Sequence, residues 1–193
     1  MEIIHKMIAS RFQILVSSYG DRIYDIDLTP ANNGIPMLII HQAIPFRVYD
    51  YSKFNMVNVD LVISETKGVS VSRNIALENA TADIVMVADD DLLFDCDGIQ
   101  SVVNFFNECE YVDVVIAKLK AKNRSSFRDY SRYVNKKRIN ERVEACSCEL
   151  FFRVKSIRGV LFDTRFGVGS KYPGFEENLF LHQLHKRDCH FFL

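Results

Sequence analysis

Residues 59–91, VDLVISETKGVSVSRNIALENATADIVMVADDD, decide how the fold is read. Val59–Ser64 is a short run rich in β-branched residues, which reads as a strand. From Lys67 onward the period changes. Val71, Ile75 and Leu77, with Ala76 and Ala80, suit one face of a helix, for which Ser70 or Ser72 is the expected N-cap. Ile84–Ala88 is then continuously apolar, as a strand covered on both faces should be. Strand, helix and strand within about thirty residues make a βαβ unit, so the sheet is expected to be parallel here.

Working outward, Phe12–Ser18 (FQILVSS) and Met37–Gln42 (MLIIHQ) read as two further strands, separated by the turn chemistry of residues 28–36 (LTPANNGIP). Downstream, residues 98–108 (GIQSVVNFFNE) read as an amphipathic helix and Val112–Ala117 as a strand. Cys146–Val154 alternates like another strand. Residues 162–175 (FDTRFGVGSKYPGF) form a glycine-bearing loop, Glu176–Arg187 a helix, and the closing CHFFL begins one more strand. There is no internal repeat and no low-complexity segment. The expectation is an α/β chain with a mostly parallel central sheet, one domain over residues 1–193.

With 193 residues, 48% hydrophobic and 25% charged, the chain has the composition of an ordinary globular protein. A formal net charge of −1 gives no global field to recruit nucleic acid. No apolar run approaches the ~18 residues that span a bilayer. The opening MEIIHKMIAS lacks the basic and apolar regions of a secretory leader, so a cytoplasmic location is expected. The five cysteines are an odd number at low density. Cys146-Ser-Cys148 has no second pair at zinc-finger spacing, so reduced thiols are expected.

Asp89, Asp90 and Asp91 end an apolar strand, where mutual repulsion between carboxylates is unfavourable unless something offsets it. In an open α/β sheet, ligands bind beyond the carboxyl ends of the strands. Along an extended turn alternate side chains point the same way, so Asp89 and Asp91 can share one ion while Asp90 faces elsewhere. Hard oxygen ligands suit Mg²⁺ or Mn²⁺, which keep open positions for phosphates. Lys67 and Gly68 lead into Ser70, Arg73 and Asn74 at a helix start. Amide donors, a positive dipole end and an arginine there suit a diphosphate.

Residues 67–91 (KGVSVSRNIALENATADIVMVADDD) resemble the core of GT-A fold glycosyltransferases of the family 2 type, with their Arg-Asn helix, apolar strand and Asp-x-Asp. A second match lies downstream. Residues 162–191 (FDTRFGVGSKYPGFEENLFLHQLHKRDCHF) resemble the family's Phe-Asp-x-x-Phe-Gly loop and the acidic pair that opens the next helix. The resemblance implies a sugar-nucleotide donor, most readily a UDP-sugar, and Mn²⁺ or Mg²⁺ on Asp89 and Asp91. It also implies a catalytic base at Glu177 with Glu176 in reserve, and a glycan or lipid-linked acceptor. Such an enzyme would serve surface polysaccharide synthesis. Sugar transfer needs a base for the acceptor's proton and positive charge for the departing diphosphate, which agrees with those residue types. Arg73 and Asp90 are expected to contact the donor.

Departures from the family pattern accompany the likeness. Where members carry an aspartate that contacts the nucleobase, this chain has His41 and Gln42. The usual Pro-Thr-Tyr after the first strand is Ser17, Ser18 and Tyr19, which are expected to line the nucleotide pocket. The family's histidine after the last strand would lie past CHFFL, so the chain is truncated there or does without it. His182 and His185, at i and i+3 without a carboxylate partner, read as surface or packing residues. A sugar-nucleotide-binding subunit with impaired turnover is the alternative. A phosphatase lacks its Asp-x-Asp-x-Thr here, and a nucleotidyltransferase lacks its glycine-rich first loop. Lys118–Arg142 carries ten Lys or Arg against two acids. That concentration points to an anionic acceptor or to peripheral contact with the inner face of a membrane.

Overall fold

The structure is a computed structural model, and it describes residues 12–121, 125–130 and 144–193. Among these, seven strands form one sheet in the order β3-β2-β1-β4-β6-β5-β7. They are β1 (Phe12–Tyr19), β2 (Met37–Gln42), β3 (Val59–Ser64), β4 (Ile84–Asp89), β5 (Val114–Ile116), β6 (Leu150–Arg153) and β7 (Phe191–Phe192). Neighbours β3, β2, β1 and β4 pair in parallel, as do β5 and β7, and β6 alone runs against both of its neighbours. The expected mostly parallel sheet is therefore what forms. The reversal of β6 has no signature in its apolar LFFR sequence.

The continuous apolar runs explain the burial. Every residue of β2 is buried, as are Ile84–Ala88 of β4, while the edge strand β3 is only half covered. Alternate side chains feed two cores, one on each face. Leu15, Leu38, Val85, Val87 and Phe152 meet Ala76, Phe180, Leu181 and Leu184 on one face. Ile14, Val16, Ile39, Met86 and Phe151 meet Ile99, Val103 and Phe106 on the other. The helices supplying these groups are α2 (Val69–Asn79) and α5 (Glu176–His185) on the first face and α3 (Cys96–Glu108) on the second. Two four-residue helices complete the set, α1 (Thr29–Asn32) within the expected turn and α4 (Val154–Ile157) after β6.

The expected apolar face of α2 meets the core, through buried Ala76 with Ile75, Leu77 and Ala80 packed beside it, but polar positions of the helix go inside as well. Its fully buried positions are Ser70, Ser72, Arg73, Asn74 and Ala76, whereas Ile75 and Leu77 pack only partly. The helix buries polar groups because they have partners waiting. Ser72 Oγ donates to Ser17 Oγ at 2.9 Å, and Asn74 exchanges hydrogen bonds with the backbone of Phe162 at 2.9 and 2.8 Å. Neither serine caps the helix. Its N-cap is Gly68, at φ +106°, a conformation that favours glycine. Helix α3 is capped by Asp95, which accepts from the Gly98 amide. Residues 146–149, expected as strand, instead form a 3₁₀ turn over Ser147–Glu149 before β6 begins.

The chain visits β1, β2 and β3 in order across the sheet, then crosses back through α2 to β4 on the far side of β1. This reversal is a topological switch point between β1 and β4, where an open α/β sheet leaves a crevice beyond its strand ends. Ser17 and Asp89 lie opposite one another there.

Candidate active site

Four segments far apart in sequence meet at the crevice, and Arg73 is the junction. Its side chain is only 3% exposed. Nη1 donates to Glu176 Oε1 at 2.9 Å and to Glu177 Oε1 at 3.4 Å; Nη2 donates to Asp89 Oδ1 at 3.0 Å and to Ser147 Oγ at 2.6 Å. The guanidinium also lies over the Phe162 ring at 5.5 Å. Burial works against the charge of Arg73, but Asp89, Glu177 and Glu176 outweigh it and hold its pKa above the ordinary value. The terminal nitrogens are thus committed to protein acceptors. Arg73, expected at the donor, is here bonded to Asp89, Glu176, Glu177 and Ser147.

The three aspartates separate cleanly. Asp89 is held by Arg73, and its other oxygen faces Ser147 Oγ at 3.4 Å and the Cys148 thiol at 3.2 Å. Cys148 is pushed well above the usual thiol range by its bond with Cys146, by burial and by the charge of Asp89, so it stays a neutral donor. Asp90 turns inward and accepts from Arg22 Nε at 2.7 Å. Asp91 is 68% exposed, with Arg22 Nη2 at 3.3 Å. Each carboxylate faces an arginine, which is how the run is tolerated at a strand end.

The two acids at the start of α5 have different environments. Glu176 is nearly buried, bonded to Arg73 through one oxygen, and its Oε2 has no partner among the described residues. Glu177 is more open, and its pKa is raised, chiefly by burial and further by Glu176, with Arg73 pulling the other way. A carboxylate held above its usual range and still partly open to solvent has the properties of a general base. Phe175 precedes them at φ +69°, with its ring 70% exposed.

The start of α2 is partly covered. The loop 162–175 docks onto it. Val69 N–H donates to Val168 O at 2.9 Å and Ser70 Oγ to Phe166 O at 2.7 Å. Gly167 permits this approach, since a Cβ there would lie 2.7 Å from Val69 and 3.1 Å from the Glu176 carboxyl. Asp163 opens the loop as a turn former, its carboxyl drawn down to about 2 by hydrogen bonds from Arg165. Nor is either residue at the expected nucleobase position free. His41 is fully buried between Tyr51 OH at 2.9 Å and Gly20 O at 3.0 Å, and burial lowers its pKa. Gln42 donates to Thr66 Oγ1 and Gly68 O.

Of the expected pocket residues on β1, Ser17 takes the bond from Ser72, Tyr19 is 43% exposed, and Ser18 is buried with an unpartnered Oγ. An orphaned hydroxyl beside the switch point is an unused anchor for a ligand. For a divalent ion, the exposed Asp91 and the half-covered Asp89 offer the one or two carboxylates with which Mg²⁺ or Mn²⁺ is held when phosphates and water complete its shell. Among the described residues no three His, Cys, Asp or Glu side chains converge to cage an ion by themselves. The residues therefore fit an ion delivered with its phosphates. His182 and His185 are both exposed.

Sequence reasoning missed Ser147, Cys148 and Arg22. Ser147 and Cys148 sit on the 3₁₀ turn, itself fixed by the fully buried Glu149. That carboxylate accepts from Arg128 Nε at 2.8 Å, Tyr130 OH at 2.5 Å and Cys146 N–H at 2.8 Å. Arg128 of the basic stretch is thereby used internally. Residues 122–124 and 131–142 of that stretch lie outside the described residues. No helix among the described residues is long and apolar enough to cross a membrane.

The family described as Glycosyl transferase family 2 matches residues 49–163, a span that includes Arg73, the aspartates and Ser147 and ends before Glu176. No curated protein sequence matches the chain. Among solved structures, residues 1–349 of S. aureus TarS in complex with UDP are similar, with a TM-score of 0.64 at 17% identity over 92% of this chain and 55% of that one. The mannosyltransferase PcManGT from Pyrobaculum calidifontis, in complex with GDP-Man and Mn²⁺, has a TM-score of 0.60 at 16% identity over 94% of this chain and 54% of that one. This chain spans about half the length of these neighbours, whose likeness carries the GT-A fold. The matched span exceeds half of the sequence, and the chain belongs to glycosyl transferase family 2.

Proposed function

We propose that the protein moves a sugar from a nucleoside-diphosphate donor to an acceptor hydroxyl with inversion at the anomeric carbon, in a reaction that depends on Mn²⁺ or Mg²⁺. The observation that carries this reading is the Arg73 junction, which gathers Asp89 from the end of β4 and Glu176 and Glu177 from the start of α5 around one buried guanidinium. The donor lies in the crevice between β1 and β4, against Ser17, Ser18 and Tyr19. Glu177 takes the proton of the acceptor hydroxyl as its oxygen bonds to the anomeric carbon, and the bond to the diphosphate breaks on the opposite face. Glu176 is a positioning residue, since its bond to Arg73 fixes the guanidinium that faces Glu177. A divalent cation on Asp89 and Asp91 would supply the positive charge that stabilises the departing diphosphate.

A UDP-sugar is the first donor to test, because TarS is solved with UDP and with UDP-GlcNAc; GDP-Man, bound to PcManGT, is the second. The acceptor is a glycan or a lipid-linked glycan of the kind used in surface polysaccharide synthesis, approached from the side of Glu177. Replacing Glu177 with glutamine tests the reading, since an amide cannot accept the proton. UDP binding should persist while transfer falls by ~10²–10⁴. A Glu177→Gln enzyme that transfers normally would remove the base assignment, and activity lost instead in Glu176→Gln would move it one residue back.

A further inference from the structure

The aspartates have two arginine partners of opposite character. Arg73 is buried, and both its terminal nitrogens are shared between carboxylates and Ser147. Arg22 stands on the 3₁₀ turn Gly20–Asp25 directly after β1, at the switch point, and its side chain is 51% exposed. It is anchored through Nε on the buried Asp90 at 2.7 Å, while Nη2 reaches only loosely to Asp91 at 3.3 Å. Among the described residues Nη1 has no acceptor. Arg22 is therefore fixed at its base and loose at its tip, and the tip covers the most exposed carboxylate of the site.

We propose that Arg22 is a diphosphate-binding residue that occupies Asp91 in the free protein and passes to the donor's phosphates when cation and donor arrive together. The inference rests on the donor reading above. Asp91 would be shared between the guanidinium tip and a divalent ion held there, so the tip would be released, whereas the Nε bond to Asp90 keeps the side chain beside the site. The freed Nη groups then meet an anion they can grip in fork geometry. Arg73 is poorly suited to this purpose, because both its terminal nitrogens are already engaged by protein acceptors. Arg22 thus acts on the two ligands with opposite sign: it competes with the bare cation and assists the nucleotide.

The opposite signs give the test. Mn²⁺ binding to the free chain is titrated by the loss of the free-ion paramagnetic resonance signal, and UDP binding at saturating Mn²⁺ is followed by calorimetry. In Arg22→Gln the Mn²⁺ dissociation constant should fall severalfold, since a competing positive charge is gone. The UDP dissociation constant should rise about tenfold or more, the usual loss for a hydrogen bond to a charged group. Arg22→Lys keeps the charge but not the fork, so its Mn²⁺ affinity should stay near the parent's while UDP weakens; it also serves if the glutamine variant folds poorly. Affinities that move together, or do not move, in a chain whose parent binds UDP would overturn this inference alone. A parent chain that takes up no UDP would overturn the donor reading and this inference with it.

Discussion

Replacing Arg73 with methionine removes the charge at the junction while keeping an apolar stem against Phe162. The side chain is 3% exposed, and the acids it faces are 5% (Glu176), 17% (Glu177) and 36% (Asp89) exposed, so the charges left behind are largely shielded from water. Breaking a buried ion pair from one side costs about 3–5 kcal/mol. For a chain of this size that is a fall of about 6–20 °C in melting temperature. The loss should depend on pH. Glu177 already has a raised pKa, so its contribution to stability is full below the ordinary glutamate value and is lost as pH rises through the folded value. Without Arg73, which pulls that value down, the loss extends to higher pH. Melting curves of parent and Arg73→Met at pH 5 and pH 7.5 should therefore differ more at pH 7.5. Melting within 2 °C of the parent at both values, or a larger gap at pH 5, would refute the claim that Arg73 holds ionised carboxylates together.

Two further outcomes follow from single residues or segments. Phe175→Gly relieves a side chain held at φ +69° and gives up little burial, since the ring is 70% exposed, so a gain of about 1 kcal/mol, or about 2–4 °C, is expected; a lower melting temperature would mean that the ring packs against the site. Lys118–Arg142, less the internally paired Arg128, should give binding to anionic vesicles at low salt that weakens at moderate salt and is absent with neutral ones, at ~1 kcal/mol for each cation near the surface; equal and negligible binding to both would leave the stretch a solvated segment.

The framework was legible because its signals were unmixed. β2 and β3 coincide with their apolar runs to the residue, and β1 and β4 each extend one residue past theirs. The Arg-Asn helix and the acidic pair were legible as motifs, which placed the crevice before any coordinates. What apolar spacing did not mark was the polar part of the buried face. In α2 it pointed to Val71, Ile75 and Leu77 with Ala76 and Ala80, all of which but Val71 pack in or against the core, yet Ser70, Ser72, Arg73 and Asn74 also went inside because partners 16 to 104 positions away in the chain satisfy them. Such partnerships have no local periodicity. Ser147 carries no mark of its own in Cys-Ser-Cys, and its place arises only because Glu149 pins the turn that sets Ser147 against Asp89. Arg22 lies among Asp21, Asp25 and Asp27 in a turn without period, and nothing local in it points to Asp90, 68 positions away. That His41 and Gln42, which stand where the family has its nucleobase aspartate, are tied up internally was not visible, because sequence shows composition and not occupancy.

The most direct test of the central claim is calorimetry of UDP with and without Mn²⁺, on the parent and on Asp91→Asn. Asp91 is the exposed carboxylate of the run, and its replacement leaves the buried bonds of Asp89 and Asp90 in place. UDP binding should require Mn²⁺ in the parent and be lost in the variant, with the fold intact, since the exposed pair of Asp91 with Arg22 is worth little. Equal UDP affinity in parent and variant, with or without Mn²⁺, would contradict it.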